Sequence, residues 1–122
     1  MAVERISAMT TQLSASRTAK FGLGQIVCHR IFPFRGVVFD VDAEYSKPEE
    51  AWAQIPVEMR PNRNQPFYSL LAESEDGVYV AYVAEGNLVP DESGEPVDHP
   101  QADFMFSGFD HGHYLPRHGA VN

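Results

Sequence analysis

Arg35-Gly36-Val37-Val38-Phe39-Asp40-Val41-Asp42 is the stretch on which the fold turns. From Val37 its side chains alternate. Strand side chains repeat every second residue, so Val37, Phe39 and Val41 are expected on one face and Val38, Asp40 and Asp42 on the other. This pattern predicts a strand with one face in a core and a carboxylate-bearing face in water. Upstream, Ile26 to about Ile31 forms its hairpin partner, with Pro33 and Gly36 punctuating the tight connection. Val27, His29 and Ile31 then share one face, and Ile26, Cys28 and Arg30 the other. Phe32 and Phe34 either plug one end of the fold or stand exposed as contact residues. Downstream, Phe67 to about Glu73 and Val78 to Ala84 read as further strands, joined by the turn Ser74-Glu75-Asp76-Gly77. Val78–Ala84 is apolar on both faces, which predicts a central position in the sheet.

After Asp42 the alternation breaks. Ser46-Lys47-Pro48-Glu49 has the form of a capping box, with Pro48 suited to a first helical turn. A short helix from about Pro48 to Gln54 is expected, carrying Trp52 and stopped by Pro56. Val57 to Pro66 completes a long loop, and a connection of this length in a compact domain is often functional. Phe104, Phe106 and Phe109 predict a last strand. Four or five short strands and one helix-bearing loop define an all-β, mainly β class: a small open SH3-like β-barrel with one short helix in a long loop. The domain spans residues 20–109, between a flexible N-terminal extension (1–19) and a mobile His/Gly/Pro tail (110–122).

At 122 residues the chain has room for one core. No apolar run approaches the roughly 20 residues that cross a bilayer. Glu4 and Arg5 are followed by no apolar block, so no secretory signal is expected. Cys28 stands alone and forms no internal disulfide. These features point to a cytoplasmic protein without a membrane role. The formal net charge is −8, and no Lys or Arg occurs between Arg63 and Arg117, which leaves the second half acidic. Uneven charge of this kind gives a molecule an acidic side and a mildly basic one.

Asp40 and Asp42 lie about 7 Å apart on one strand face by strand rise. Such a pair serves acid–base chemistry or a divalent cation only with a third group, and none stands at a telling spacing, so a solvated or Arg-paired strand face is expected. Cys28 reads as a small buried hydrophobe and His29 as a hydrogen-bonded structural histidine. Asp110, His111, His113 and His118 have the residue types of a metal site without a packed surround, and no metal or cofactor is expected. There is no Ser in a strand-to-helix elbow and no Cys-His pair at a recognisable spacing, so the chain reads as non-enzymatic. Arg30, Arg35, Arg60 and Arg63, with Lys20 and Lys47 in reserve, form a modest phosphate-binding set if the fold clusters them. The sequence pI of about 4.9 opposes DNA. On physical grounds alone a protein partner is favoured, with Trp52, Phe104 and Phe106 as candidate contacts.

Taken together, several blocks resemble one family. They are Phe21-x-x-Gly24-Gln25-x-Val27-x-His29, Arg35-Gly36-Val37-Val38-x-Asp40-Val41-Asp42, Gln65-Pro66-Phe67-Tyr68, Tyr82-Val83-Ala84-Glu85-x-Asn87-Leu88 and His99-Pro100. In that order they are similar to the YccV-like, hemimethylated-DNA-binding family, which includes the heat-shock protein HspQ. The likeness covers roughly Lys20 to Phe106; Ser69 stands where the pattern has His. It implies an SH3-like β-barrel, cytoplasmic and non-enzymatic, without metal or organic cofactor. It further implies binding of double-stranded hemimethylated DNA and a role as a specificity factor for the Lon protease and its client proteins, with homo-oligomers possible. Of the motif residues, Gln65 is expected to tie the long loop down through its amide, and Glu85 and Asn87 to cap the N–H groups of their own turn.

Overall fold

The structure, a computed structural model, describes residues 18–117. The expected N-terminal extension lies outside the described residues as far as residue 17, as does the tail from His118. The chain forms β1 (Ile26–His29), β2 (Arg35–Asp42), helix α1 (Glu49–Ala53) and a 3₁₀ turn (Val57–Met59). Then come β3 (Phe67–Ser74), β4 (Gly77–Ala84), a second 3₁₀ turn (Glu85–Asn87), β5 (Leu88–Pro90), helix α2 (Ala102–Met105), β6 (Phe106–Asp110) and β7 (His113–Pro116). A five-stranded antiparallel sheet has the order β4-β3-β2-β1-β5, and β6 and β7 form a separate hairpin. The fold is mainly β. Its ladder is open, with β4 and β5 as its two edges.

The decisive strand buries both faces, where one wet face was expected. Val38 and Val41 face a first core with Val27, Tyr68 and Leu70, while Val37 and Phe39 face a second with Ile26, Leu71 and Phe106. The alternation fails because β2 bulges between Val38 and Asp40: Val38 pairs with Leu70, but Asp40 already pairs with Ser69. One extra residue resets the phase of everything after it. Val41 therefore joins Val38 instead of Val37 and Phe39. Burying a Val or Leu side chain contributes roughly 1.5–3 kcal/mol, so two cores sharing one strand dominate the stability of so small a domain.

Gly36 and Gly24 hold two tight joints. At Gly36 a Cβ would sit 2.8 Å from the Leu71 carbonyl oxygen, so only glycine lets β2 and β3 approach there. Gly24, at φ 88°, donates its N–H to the Val38 carbonyl and accepts from Tyr114 N–H, both at 2.8 Å. With the Gln25–His113 bridge, this joint fastens the β6–β7 hairpin over the second core. The tail expected to be mobile from Asp110 is thus a paired strand as far as Pro116, with Tyr114 buried. His99 Nδ1 accepts from Gln101 N–H and its carbonyl accepts from Ala102 N–H, which sets α2. The Phe104–Phe109 segment is accordingly part helix and part strand.

Three further expectations are corrected. β4, apolar on both faces, is an edge strand: Val78, Tyr79 and Val80 are 45%, 42% and 61% exposed. The chain leaves β4 through a 3₁₀ turn and crosses to pair β5 with β1, so no strand reaches the far side of β4. The capping box is not made: Ser46 Oγ donates to the Glu44 carbonyl, and α1 starts at Glu49, after Pro48 at the cap position, without a side-chain cap. β1 ends at His29, which leaves Ile31 exposed; of the connecting phenylalanines, Phe32 is exposed and Phe34 packs against the first core.

Candidate nucleic-acid interface

The long loop leaves the sheet at Asp42 and returns at Phe67, and these two are direct partners in the β2–β3 ladder. Its base is a cluster of rings. Tyr45 packs edge-on against Trp52, Phe67 and Tyr82 at centroid distances of 4.8, 5.4 and 5.9 Å, and Phe67 stacks on Tyr82 at 5.3 Å. The Tyr82 hydroxyl donates to Asp42 at 2.7 Å and accepts from Ser46 N–H at 3.1 Å, so it ties both the sheet and the start of the loop. Burial, then the Asp42 bond, pushes the Tyr82 phenol well above its ordinary value. Asp42 is thus hydrogen-bonded, while Asp40 is exposed.

Cations lie on these rings. Arg63 sits 4.6 Å over Trp52 and 5.0 Å over Tyr45, and Lys47 4.7 Å over Tyr82. Arg63 also forms a two-bond pair with Glu49, which raises its already high pKa through that hydrogen bond. Arg60 donates to the Ile55 and Ala53 carbonyls and so closes the C-terminal end of α1, whose last carbonyls have no helical partner. Arg30 Nε donates to the Gly86 carbonyl at 2.8 Å. Gly86 N–H in turn donates to Gln65 Oε1, and Gln65 Nε2 to the Asn62 carbonyl, both at 2.8 Å. Gln65 therefore does tie the loop down, and Arg30 joins the same base. Beneath this rim lies a groove of about 460 Å³ between Tyr45, Ile55, Met59, Tyr82 and Phe34.

Arg35 stands apart. It lies at the far end of β2 from Asp42, roughly 20 Å away by strand rise. It donates to Glu73 at 2.7 Å, to Asp91 at 3.1 Å and to the Pro96 and Glu95 carbonyls. Burial lowers its pKa, but the bonds to Glu73 and Asp91 outweigh it and raise it overall. The expected phosphate contact is a structural clamp. Phe106, expected at a partner surface, is buried in the second core, whereas Phe104 is 71% exposed and Trp52 partly so.

The remaining motif residues maintain the frame. Glu85 does not cap its own turn; it accepts from Lys20 N–H at 2.8 Å and from the Tyr68 hydroxyl at 2.6 Å. Burial and that bond push the Tyr68 phenol up to about 12. The Asn87 carbonyl accepts from Arg30 N–H, and Leu88 is buried in the first core. His29 Nδ1 accepts from both Ile31 and Phe32 N–H, the structural role expected of it. Among the described residues no three His, Cys, Asp or Glu side chains group as a metal site, and no helix is long and apolar enough to cross a membrane. Lys47, read from sequence as a reserve cation, stands over the Tyr82 ring, whereas Tyr45 and Tyr82 carry no site role in the sequence reading. The signal for those two tyrosines is the position of Tyr82 at the head of a motif block and of Tyr45 beside the break in alternation.

The arrangement is that of a small mainly β domain presenting a cation-bearing aromatic rim on one loop. The family described as hemimethylated DNA-binding protein YccV like matches residues 19–113 of the chain. The protein belongs to this YccV-like family.

Proposed function

We propose that the protein is a non-enzymatic, cytoplasmic binding module that engages double-stranded hemimethylated DNA through the long loop. The observation that carries this reading is the placement of Arg30, Lys47 and Arg63 at the loop base, with Arg60 on the loop at the end of α1, in a chain whose family is described by that ligand. Each phosphate neutralised by Lys or Arg releases counterions, so binding steepens with the number of such contacts. The overall charge of −8 opposes a polyanion, so affinity rests on this local cluster. Each of the arginines in it also holds a protein acceptor, which limits how many donors reach a phosphate. The shared burial of Val83 from β4 and Leu88 from β5 in one core supports reading the curled sheet as SH3-like. The test is binding to hemimethylated, fully methylated and unmethylated duplexes over a salt series. Preference for the hemimethylated duplex is expected, with a slope that falls when Arg63 and Arg30 become Ala. Equal affinity for all three duplexes removes the specificity.

A second, compatible reading is modulation of protein turnover, as a Lon specificity factor in the manner of HspQ. The exposed apolar run Val78-Tyr79-Val80 favours it, because such a patch suits protein contact. A change in degradation of client proteins by purified Lon on adding this protein is the expected result. An unchanged rate argues against it.

A further inference from the structure

The two edges of the main sheet are guarded very differently. β5 has three residues and ends in Pro90, both devices that stop another strand from adding. β4 has eight, Gly77-Val78-Tyr79-Val80-Ala81-Tyr82-Val83-Ala84, with no charge, no Pro and no bulge in its ladder to β3. An edge strand leaves alternate backbone N–H and C=O groups unpaired, and a long, flat, apolar one is a template for a further strand. Its first half, Gly77 to Val80, is the exposed part, and in a chain that carries −8 an uncharged apolar stretch on an open edge needs a reason.

The surroundings of β4 select what adds to it. Tyr79 packs on Phe34, and next to that pair a second groove of about 580 Å³ runs between Phe32, Pro33 and Phe34 on one wall and Glu73 and Glu75 on the other. Glu73 is already held by Arg35; Glu75 and Asp76 form the turn that opens β4 and are exposed. Apolar walls with a carboxylate at the lip suit a Lys or Arg side chain, whose stem lies on rings while its head meets the acid.

We propose that β4 receives an extended apolar segment of a partner chain as a sixth, antiparallel strand, with a Lys or Arg at the segment's C-terminal side seated at Glu75 and Asp76. Main-chain bonds supply affinity in this mode and the side-chain groove supplies selectivity. Apolar runs flanked by Lys or Arg are what an unfolded polypeptide exposes, since basic gatekeepers flank strand-forming stretches. The proposal deepens the protein-partner reading above and draws nothing from the DNA reading.

The probe is a short fluorescein-labelled peptide of alternating Val and Thr followed by Lys, read by fluorescence anisotropy without protease or DNA. Saturable binding is expected. Val80→Lys, at a site 61% exposed and so without effect on folding, should weaken it roughly tenfold or more. Val89→Lys on the β5 edge should leave it unchanged. Replacing the peptide's Lys by Glu should abolish binding to the native protein, and Glu75→Lys with Asp76→Lys should restore it. Binding that survives Val80→Lys overturns the proposal, as does a dimer in sedimentation that Val80→Lys converts to monomer, since a second copy of the chain then occupies the edge. Peptide binding with no change in Lon turnover would uphold this inference while removing the turnover reading.

Discussion

The Arg35 guanidinium donates to the Asp91 carboxylate at 3.1 Å and thereby fastens the segment after β5 to the start of β2. With Glu73 on its other side, Arg35 clamps three parts of the chain that are far apart in sequence. Removing one partner of a largely buried ion pair leaves an uncompensated charge, at a cost of about 3 kcal/mol. Arg35→Met should therefore lower the denaturant midpoint while leaving the salt slope of DNA binding as it was. A smaller slope at unchanged stability would restore Arg35 as a phosphate ligand.

Arg63 and Glu49 lead to the opposite kind of outcome. Their pair is exposed and contributes little to stability. It does occupy two guanidinium donors. Glu49→Gln should tighten binding to hemimethylated duplex by freeing Arg63, and Arg63→Ala should weaken it and reduce the salt slope by about 0.9. Both changes should leave the melting temperature nearly constant. If Glu49→Gln loosens DNA, the interface lies elsewhere.

Cys28 reports on the clamp chemically. Burial, then the hydrogen bond it donates to Asp91 at 3.3 Å, pushes the thiol up to about 11. The thiolate is the nucleophile, so at pH 8 the native protein should be alkylated far more slowly than the denatured chain. Asp91→Asn removes the negative charge beside the thiol while keeping an acceptor oxygen, and should speed native alkylation. A native rate equal to the denatured one at pH 8 would contradict the half-buried, hydrogen-bonded thiol.

Histidine 29 sets the acid side of the stability curve near neutrality. Burial, then the charge of Arg30, lowers its pKa from 6.5, and its Nδ1 must stay unprotonated to accept from Ile31 and Phe32. A base whose folded pKa lies below its unfolded value is protonated more readily when unfolded. Stability is thus complete above about pH 6.5 and declines as pH falls from there toward the folded pKa. Asp91 contributes a second loss at lower pH: burial alone would raise its pKa, but bonds from Ser93, Arg35 and Cys28 hold it below 3.8. Thermal melts should show the first decline between neutral and mildly acid pH, and His29→Gln should flatten it.

Gly24→Ala tests the joint between sheet and hairpin. A Cβ there would run into the Tyr114 carbonyl oxygen, and at φ 88° any side chain is strained besides. A loss of about 3 kcal/mol or more is expected, with faster hydrogen exchange in β6 and β7 than in β3. Uniform exchange across both would mean that the hairpin does not depend on this joint.

Much of the main sheet was legible because hairpins are local. β1 with β2, and β3 with β4, follow from alternation and turn residues that act over a few positions, and the Pro-bounded α1 does too. What alternation does not carry is position in the sheet. β4 has the composition of a central strand, yet its place is decided by where the chain goes next, and Leu88 pairs with His29 far upstream. The bulge at Phe39 was hidden for a related reason, since a one-residue offset shows only against a partner strand. The site was less legible still. An Arg looks the same in sequence whether it faces phosphate or, like Arg35, two carboxylates brought from β3 and beyond β5. The last strand was legible at Phe106 and Phe109, but its partner β7 was not, because Gly and His near a terminus resemble a solvated tail until the Tyr114 hydroxyl is seen to exchange two hydrogen bonds with Val97.

Asp42 and Phe67 sit side by side in the ladder, so everything between them begins and finishes at one spot on the scaffold. The segment is therefore an interchangeable attachment whose length and make-up can drift without disturbing any strand's register. Transplanting residues 43–66 onto another member of the family should carry its ligand preference along and leave the recipient's sheet as it was.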